Sequence, residues 1–199
     1  MNEQIDVVYR EALARFDDVY TRAKATDLRD PTAVTLATAD RSGQPYARTV
    51  LLKGYDERGF VIYTNNQSRK GAQLRENPKA ALLFFWQTLF EQASIAGPVE
   101  VVSDEESDAY WFTRSRESRV GAWASAQSQV LDARDTLEAE VTKFEAKFRG
   151  VDVPRPPHWH GFRVCPERIE FWQSGDHRLH DRQCYTQTDD GWTMTLLNP

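Results

Sequence analysis

The sequence has no apolar run near the roughly 18 residues a membrane-spanning helix needs. Its start, MNEQIDVVYREALARF, lacks the cationic and apolar regions of a secretory signal. A cytoplasmic location is expected from these absences. Only two cysteines occur, Cys165 and Cys184, too few for a disulfide framework. A reducing compartment favours two free thiols, although one bridge stays chemically open. No GxGxxG or GxxxxGK[ST] stretch is present, so neither dinucleotide nor P-loop chemistry has its usual signature, and a serine-histidine-acid triad has no GxSxG elbow. Positive charge is in deficit: the net charge of -5 argues against general attraction to nucleic acid or anionic membrane. His158 with His160, and His177 with His180, have no acidic ligand or cysteine pair at an established zinc spacing, so no metal is expected.

What is there suits one domain over residues 1–199, long enough to bury roughly 70% of its unfolded surface. Aromatic residues make up 12%, enough for a core and the wall of a pocket or subunit interface. From residue 4 to about 25, Ile5, Val8, Ala12, Leu13, Phe16 and Val19 recur at helical spacing, placing an amphipathic helix in a leading segment, 1–30. Short β-rich runs follow: AVTLATAD, PYARTVLLKGYD and GFVIYTN, read as an antiparallel meander. AALLFFW and FEQASIAGPVEVV come next, and GFRVCPERIEFWQ, HRLHDRQCYTQ and GWTMTLL close the chain. Helices are expected over SRKGAQLRENP, from the Ser103 cap through 104–115, over 116–127 and over 132–149. Strands outnumber helices and most connections are too short for parallel crossovers. The fold class is therefore mainly β with flanking helices, the sheet antiparallel and curled into a barrel over 31–199.

Three clusters carry chemistry. In GDHRLHDR (175–182), a regular strand would turn Arg178, His180 and Arg182 to one face. Two unit charges about 6 Å apart at an effective dielectric near 20 repel by roughly 3 kcal/mol, so such a face, if partly buried, needs an anion; an exposed edge strand is the equal alternative. Arg69 and Lys70 follow the Ser68 cap in the first turn of a helix, where the helix dipole disfavours cations by roughly 0.3 to 1 kcal/mol. A bound phosphate reverses that sign, whereas solvated charges need none. Tyr110, Arg114 and Ser118 are spaced by four and would share a helix face if that helix ran on through Arg116; surface decoration is the plainer account. Arg48 and Lys53 end the apolar strand RTVLLK on opposite faces.

These stretches occur together in a recognisable order. RTVLLKGYDERGFVIYTNNQSRKGAQLRENP, FEQ, AYWFTRSRESRVGAWASAQS and IEFWQSGDHRLHDR closely resemble the pyridoxamine 5'-phosphate oxidase family, from about Pro31 to the C-terminus. The resemblance implies a homodimeric split β-barrel binding FMN at the subunit interface. It places Arg48, Thr49, Val50, Leu51, Leu52, Lys53, Tyr63, Thr64, Arg69, Lys70, Gln92, Gln127, Ser128, Trp172 and Arg182 around the cofactor. Arg69 and Lys70 would hold its phosphate, and some of the others would come from the partner chain. Lys53, Tyr110, Arg114 and Ser118 would bind the substrate phosphate, with Arg178 and His180 over the pyridine ring as the catalytic pair. The implied reaction oxidises pyridoxamine or pyridoxine 5'-phosphate to pyridoxal 5'-phosphate, with dioxygen reduced to hydrogen peroxide. A related FMN oxidase acting on a reduced ring such as a phenazine precursor, and a noncatalytic flavin or pyridoxal phosphate carrier, are the competing expectations.

Overall fold

The computed structural model describes residues 6–199; the expected start of the first helix, including Ile5, lies outside the described residues. Helix α1 (Val7–Lys24) begins where the Asp6 carboxylate accepts the backbone N–H groups of Val8 (2.8 Å) and Tyr9 (3.3 Å). Its periodic apolar residues Ala12, Phe16, Val19 and Ala23 are buried, as the spacing requires. Phe16 sets its ring edge-on to Tyr55, Phe60 and Phe84 at 4.9, 4.8 and 5.4 Å, so α1 packs on the main core. Arg22 fixes the far end through two bonds, 2.7 and 2.9 Å, to the buried Glu91 carboxylate.

The chain continues through β1 (Ala33–Ala39), β2 (Pro45–Leu51), β3 (Gly54–Asp56), β4 (Gly59–Asn65), α2 (Arg69–Glu76), β5 (Lys79–Trp86) and β6 (Glu91–Val101). Then come α3 (Asp104–Thr113), α4 (Arg116–Ala124), α5 (Arg134–Lys147), β7 (Trp159–Val164), β8 (Arg168–Gln173), β9 (Asp181–Thr188) and β10 (Gly191–Leu196). All strand pairings are antiparallel, and the main order is β10-β9-β8-β6-β5-β1-β2, with β7 joining β6 to β4 and β4 pairing β3.

Two expected strands are each broken, and both breaks shape the barrel. PYARTVLLKGYD divides at Leu52 and Lys53: the Leu52 N–H bonds back to Thr32 O, toward β1, while the Lys53 N–H bonds to Val61 O, in β4, each at 2.9 Å. One bent segment thus serves two neighbours, so β2 and β4 are not adjacent strands of a meander. GFRVCPERIEFWQ divides at Cys165–Glu167 because β7 and β8 pair with successive parts of the same strand. Val99–Val101 of β6 faces β7, and Glu91–Ala96 faces β8. The path β1, β2, β3, β4, β7, β6, β5 and back to β1 is a barrel split at β6, the mainly β split barrel with flanking helices that the sequence implied.

At the split, Cys165 N–H bonds to Pro98 O (2.8 Å) and Glu167 N–H to Ala96 O (2.9 Å), drawing the crossing segment onto Gly97. A Cβ on Gly97 would collide with the Cys165 carbonyl oxygen. A second apolar cluster, Trp111, Val120, Phe148, Val153 and Trp159, lies under the helices. Cys165 and Cys184 are free thiols. Gly97→Ala is expected to lower unfolding stability by about 2 kcal/mol or more, because only backbone movement relieves the collision; a urea midpoint equal to that of the unchanged chain would refute this account of the split.

Candidate active site

Helix α2 starts from a buried cap. Ser68 accepts the Gly71 N–H (3.3 Å) and donates to Asn65 O (2.6 Å), and a Cβ on Gly71 would strike the Asn66 backbone. This turn aims Lys70 at the end of β4, where its Nζ donates to Thr64 Oγ1 (3.3 Å) and Gln127 Oε1 (3.1 Å). Behind it, Arg48 donates to Thr38 Oγ1 (2.6 Å), Leu36 O (3.2 Å) and Gln73 Oε1 (3.1 Å). Burial, then the Arg48 charge, holds the Lys70 ammonium below the usual lysine range; burial, then Arg69, lowers Arg48 in the same way. Arg69 lies over the Tyr46 ring at 5.8 Å.

A cleft of about 270 Å³ opens beside these cations, lined by Thr49, Val50, Leu51, Lys53, Tyr63, Thr64, Lys70, Tyr110, Arg114, Gln127 and Trp159. The bend at Lys53 is what brings that residue to the same cleft as Lys70. A larger groove of about 610 Å³, between α1 and the β3–β4 hairpin, contains none of the expected site residues.

The continuous helix expected to align Tyr110, Arg114 and Ser118 is absent. Helix α3 ends at Thr113, Arg114 takes extended φ/ψ of -75° and 148°, and Ser115 caps a new helix by accepting the Ser118 N–H. The two caps, not a shared face, keep the three together: Arg114 Nη2 donates to Ser118 O at 3.1 Å, although Ser118 does not line the cleft. The Arg114 guanidinium sits 5.0 Å from the Trp111 ring and 4.8 Å from the Trp159 ring, and its Nη1 is buried without a partner. Burial depresses its pKa, partly offset by Tyr110. Burial also raises the Tyr110 phenol, against the pull of Arg114. Among the described residues no carboxylate stands within ion-pair distance of Arg48, Lys53, Arg69, Lys70 or Arg114. Arg48, Lys70 and Arg114 are partly desolvated, Lys53 and Arg69 are exposed, and a set without carboxylate partners and with one orphaned donor suits phosphate groups.

A second group lies elsewhere on the sheet. Gln92, Trp172 and Arg182 stand in one row across β6, β8 and β9, extended by Phe85 of β5. Arg182 is tied to Glu170 (2.8 Å) and Asn198 O (3.0 Å). Burial opposes Glu170 ionisation, but bonds from Arg168 and Arg182 prevail and its carboxyl titrates below the usual range. GDHRLHDR is not a strand throughout, so the single cationic face is a correction: Asp176–Arg178 form a 3₁₀ turn with positive φ at His177 (54°) and Arg178 (66°), and β9 starts only at Asp181. Left-handed backbone breaks the alternation that the face required. The His180 ring packs 4.7 Å from Trp172 and its Nδ1 accepts the Gly175 N–H.

None of Gln92, Trp172, Arg178, His180 and Arg182 lines the cleft of the same chain. Four further expected residues also stand outside it. Arg48 points beneath α2, Leu52 is buried in the core, Arg69 is exposed over the Tyr46 ring, and Ser128, with φ of 71°, is exposed. Sequence reasoning missed Trp159, which the prolines before it disguise as part of a packed loop. Its pairing opposite Asn65, two residues along β4 from Tyr63, is the missing signal and is visible only in the register.

Known proteins match this architecture closely. The sequence profile described as pyridoxamine 5'-phosphate oxidase matches residues 21–148, and one described as the pyridoxine 5'-phosphate oxidase C-terminal dimerisation region matches 159–199. A pyridoxine/pyridoxamine 5'-phosphate oxidase of Alkalilimnicola ehrlichii is 56% identical over 191 residues, 95% of this chain and 97% of that protein. A Myxococcus xanthus protein of the same name is 52% identical over 189 residues, 95% and 92% of the two chains. Among solved structures, PhzG from Burkholderia lata, in complex with tetrahydrophenazine-1-carboxylic acid, superposes with a TM-score of 0.90 at 31% identity, covering 99% of this chain and 98% of its own. An FMN-binding, pyridoxamine 5'-phosphate oxidase-related protein of Nostoc punctiforme shares the fold, with a TM-score of 0.75 at 18% identity over 94% and 96% of the two chains. Split barrel, cation-lined cleft and near full-length identity converge: the chain belongs to the pyridoxamine 5'-phosphate oxidase family of oxidoreductases.

Proposed function

We propose that the protein is a cytoplasmic homodimer that uses FMN to oxidise pyridoxamine 5'-phosphate or pyridoxine 5'-phosphate to pyridoxal 5'-phosphate, with dioxygen reduced to hydrogen peroxide. The observation that carries this reading is the cleft whose Lys70 is partly desolvated and whose Arg114 Nη1 is buried without a partner, with no carboxylate to neutralise either. Charges left in that condition are stabilised by a bound dianion, and two phosphorylated molecules meet the requirement of two separated donor sets.

Lys70, Arg69 and the free N–H groups at the start of α2 would hold the FMN phosphate. The edge backbone of Thr49–Leu51, with Tyr63, Thr64 and Gln127, would wall the flavin. When bound, FMN supplies an acceptor for the hydride equivalent leaving the substrate C4' carbon and a route for its electrons to dioxygen. Lys53, Tyr110 and Arg114, with the Ser118 turn, would anchor the substrate phosphate and hold the reacting carbon in place. Arg178 and His180 would cover the pyridine ring. His180 Nδ1 already accepts the Gly175 N–H, so its Nε2 is the nitrogen left to carry a proton toward the substrate.

The second row of residues would complete the cleft of a partner subunit. Supporting this, Leu51, Leu83 and Phe85 are exposed on that sheet face at 37, 40 and 52%, an apolar patch that another copy would cover. The C-terminal match to a dimerisation region points the same way. Oxidation of a reduced phenazine ring is the second reading, suggested by the likeness to PhzG. The Lys53, Tyr110, Arg114 group favours the phosphorylated substrate, since two cations and a phenol match the charge and the three oxygens of a phosphate dianion better than a monoanionic carboxylate.

FMN-loaded protein is expected to yield pyridoxal 5'-phosphate and peroxide from at least one of the two B6 phosphates; a flavin-bearing protein giving neither would sink the proposal. Arg178→Ala should lower kcat on the order of 10²-fold, as losing one oriented polar group at a reacting centre does. Normal turnover at full FMN content would remove Arg178 from the site. Lys70→Met should weaken FMN binding about tenfold or more at neutral pH. Only the protonated ammonium attracts the phosphate, and its folded pKa is lowered, so affinity should be lost as pH rises, beginning below the ordinary lysine range. Fluorescence titrations across pH should show this loss in the unchanged chain and not in the variant, and identical profiles would refute the assignment.

A further inference from the structure

We infer that Trp159 is a positioning residue for phosphate recognition: its indole is the common platform on which Tyr110 and Arg114 are set. The inference rests on the reading of this cleft as the substrate-phosphate site and adds a residue that the sequence motifs do not include. Because α3 stops at Thr113, Arg114 has no helix backbone to orient it, and its one side-chain hydrogen bond, to Ser118 O, engages only Nη2. What fixes the remaining fork is a wedge of two indoles. Trp111 and Trp159 stand 4.9 Å apart at 69°, with the guanidinium 5.0 and 4.8 Å from their centroids.

The same indole reaches Tyr110 through Tyr63. The Tyr63 ring lies 4.2 Å from Tyr110 and 5.0 Å from Trp159, with the three planes within 18° of parallel. Trp159 is itself clamped. Arg155 donates to its carbonyl oxygen (2.9 Å) and also to Asp108 (2.5 Å) and Asp104 (2.6 Å) of α3, the helix that carries Tyr110. Arg155 thereby ties the start of β7 to helix α3, and the Trp159 ring spans the gap between the phenol and the guanidinium. Removing the platform leaves both donors present but free to take other rotamers, so affinity for a phosphate falls while interactions with the rest of the substrate do not.

The test uses full-length, FMN-loaded protein carrying Trp159→Leu or Trp159→Phe. For Trp159→Leu, KM for pyridoxamine 5'-phosphate is expected to rise about tenfold with kcat within about twofold, equivalent to about 1.4 kcal/mol of binding. Calorimetric affinity for inorganic phosphate should fall by a similar factor, and KM for unphosphorylated pyridoxamine should stay unchanged. Trp159→Phe, which keeps an aromatic face, should restore most of the loss. Should the leucine variant fail to fold, Trp159→Met, with a longer, unbranched side chain that adapts to an irregular gap and no π face, carries the same expectations. Unchanged phosphate affinity in the leucine or methionine variant overturns the inference, as do equal KM shifts for the phosphorylated and unphosphorylated amines. Failure of the functional proposal has a different signature: the unsubstituted protein gives no product from pyridoxamine 5'-phosphate, while phosphate calorimetry still reports on Trp159.

Discussion

Strand β6 hydrogen-bonds to two different strands along one edge, β8 through Glu91–Ala96 and β7 through Val99–Val101, and the change of partner at Gly97–Pro98 organises what lies on either side. One branch carries β8 and β9, and with them the row Gln92, Trp172, Arg182 and the turn holding Arg178 and His180. The other carries β7 and β4, and with them Trp159, Tyr63 and the entry to α2. Two sets of polar groups are thereby held on one continuous sheet, separated within a single chain. The bend at Leu52 and Lys53 does the complementary work on the other side of the barrel, turning one extended segment from β1 to β4.

Charge is distributed to match. Away from the cleft, well-buried arginines have carboxylates. Arg163 meets Glu100 at 3.1 Å and Glu106 at 2.6 Å, and Arg155 meets Asp104 and Asp108. Inside the cleft and just behind it the partners are hydroxyls, amides and carbonyls: Thr64 and Gln127 for Lys70 and Ser118 O for Arg114 within it, Thr38 and Gln73 for Arg48 behind it. Neutral acceptors orient a cation without cancelling its field, so the positive potential remains available to a ligand. Burial, with no neighbouring carboxylate to offset it, holds Lys70, Arg48 and Arg114 below their ordinary pKa ranges.

Much of this was legible locally. Helix α1, the Ser68 and Ser103 caps, the strand-rich centre and the clusters around Lys53, Lys70 and Arg114 follow from periodicity, capping chemistry and charge within a few residues of one another. Errors arose where a local rule was extended past a break. Regular alternation carried through Asp176–Arg178 made a cationic strand face of a left-handed turn, and helical spacing carried through Arg114 made one face of two capped helices. Trp159 escaped notice because its neighbours in the cleft come from β4 and α3, distant in the chain.

By itself, then, the sequence determined which side chains carry charge, where most elements begin, and through the order of its motifs which family the chain belongs to. Charge belongs to each residue type, element starts depend on residues close along the backbone, and motif order is read directly along the chain. Tertiary structure decided which cations share a cleft, which lie behind it, and which stand on a separate row that one chain leaves apart. Register, strand bends and partner exchange are set by hydrogen bonds between segments far apart in sequence, such as Cys165 to Pro98 and Lys53 to Val61, and no local pattern encodes them.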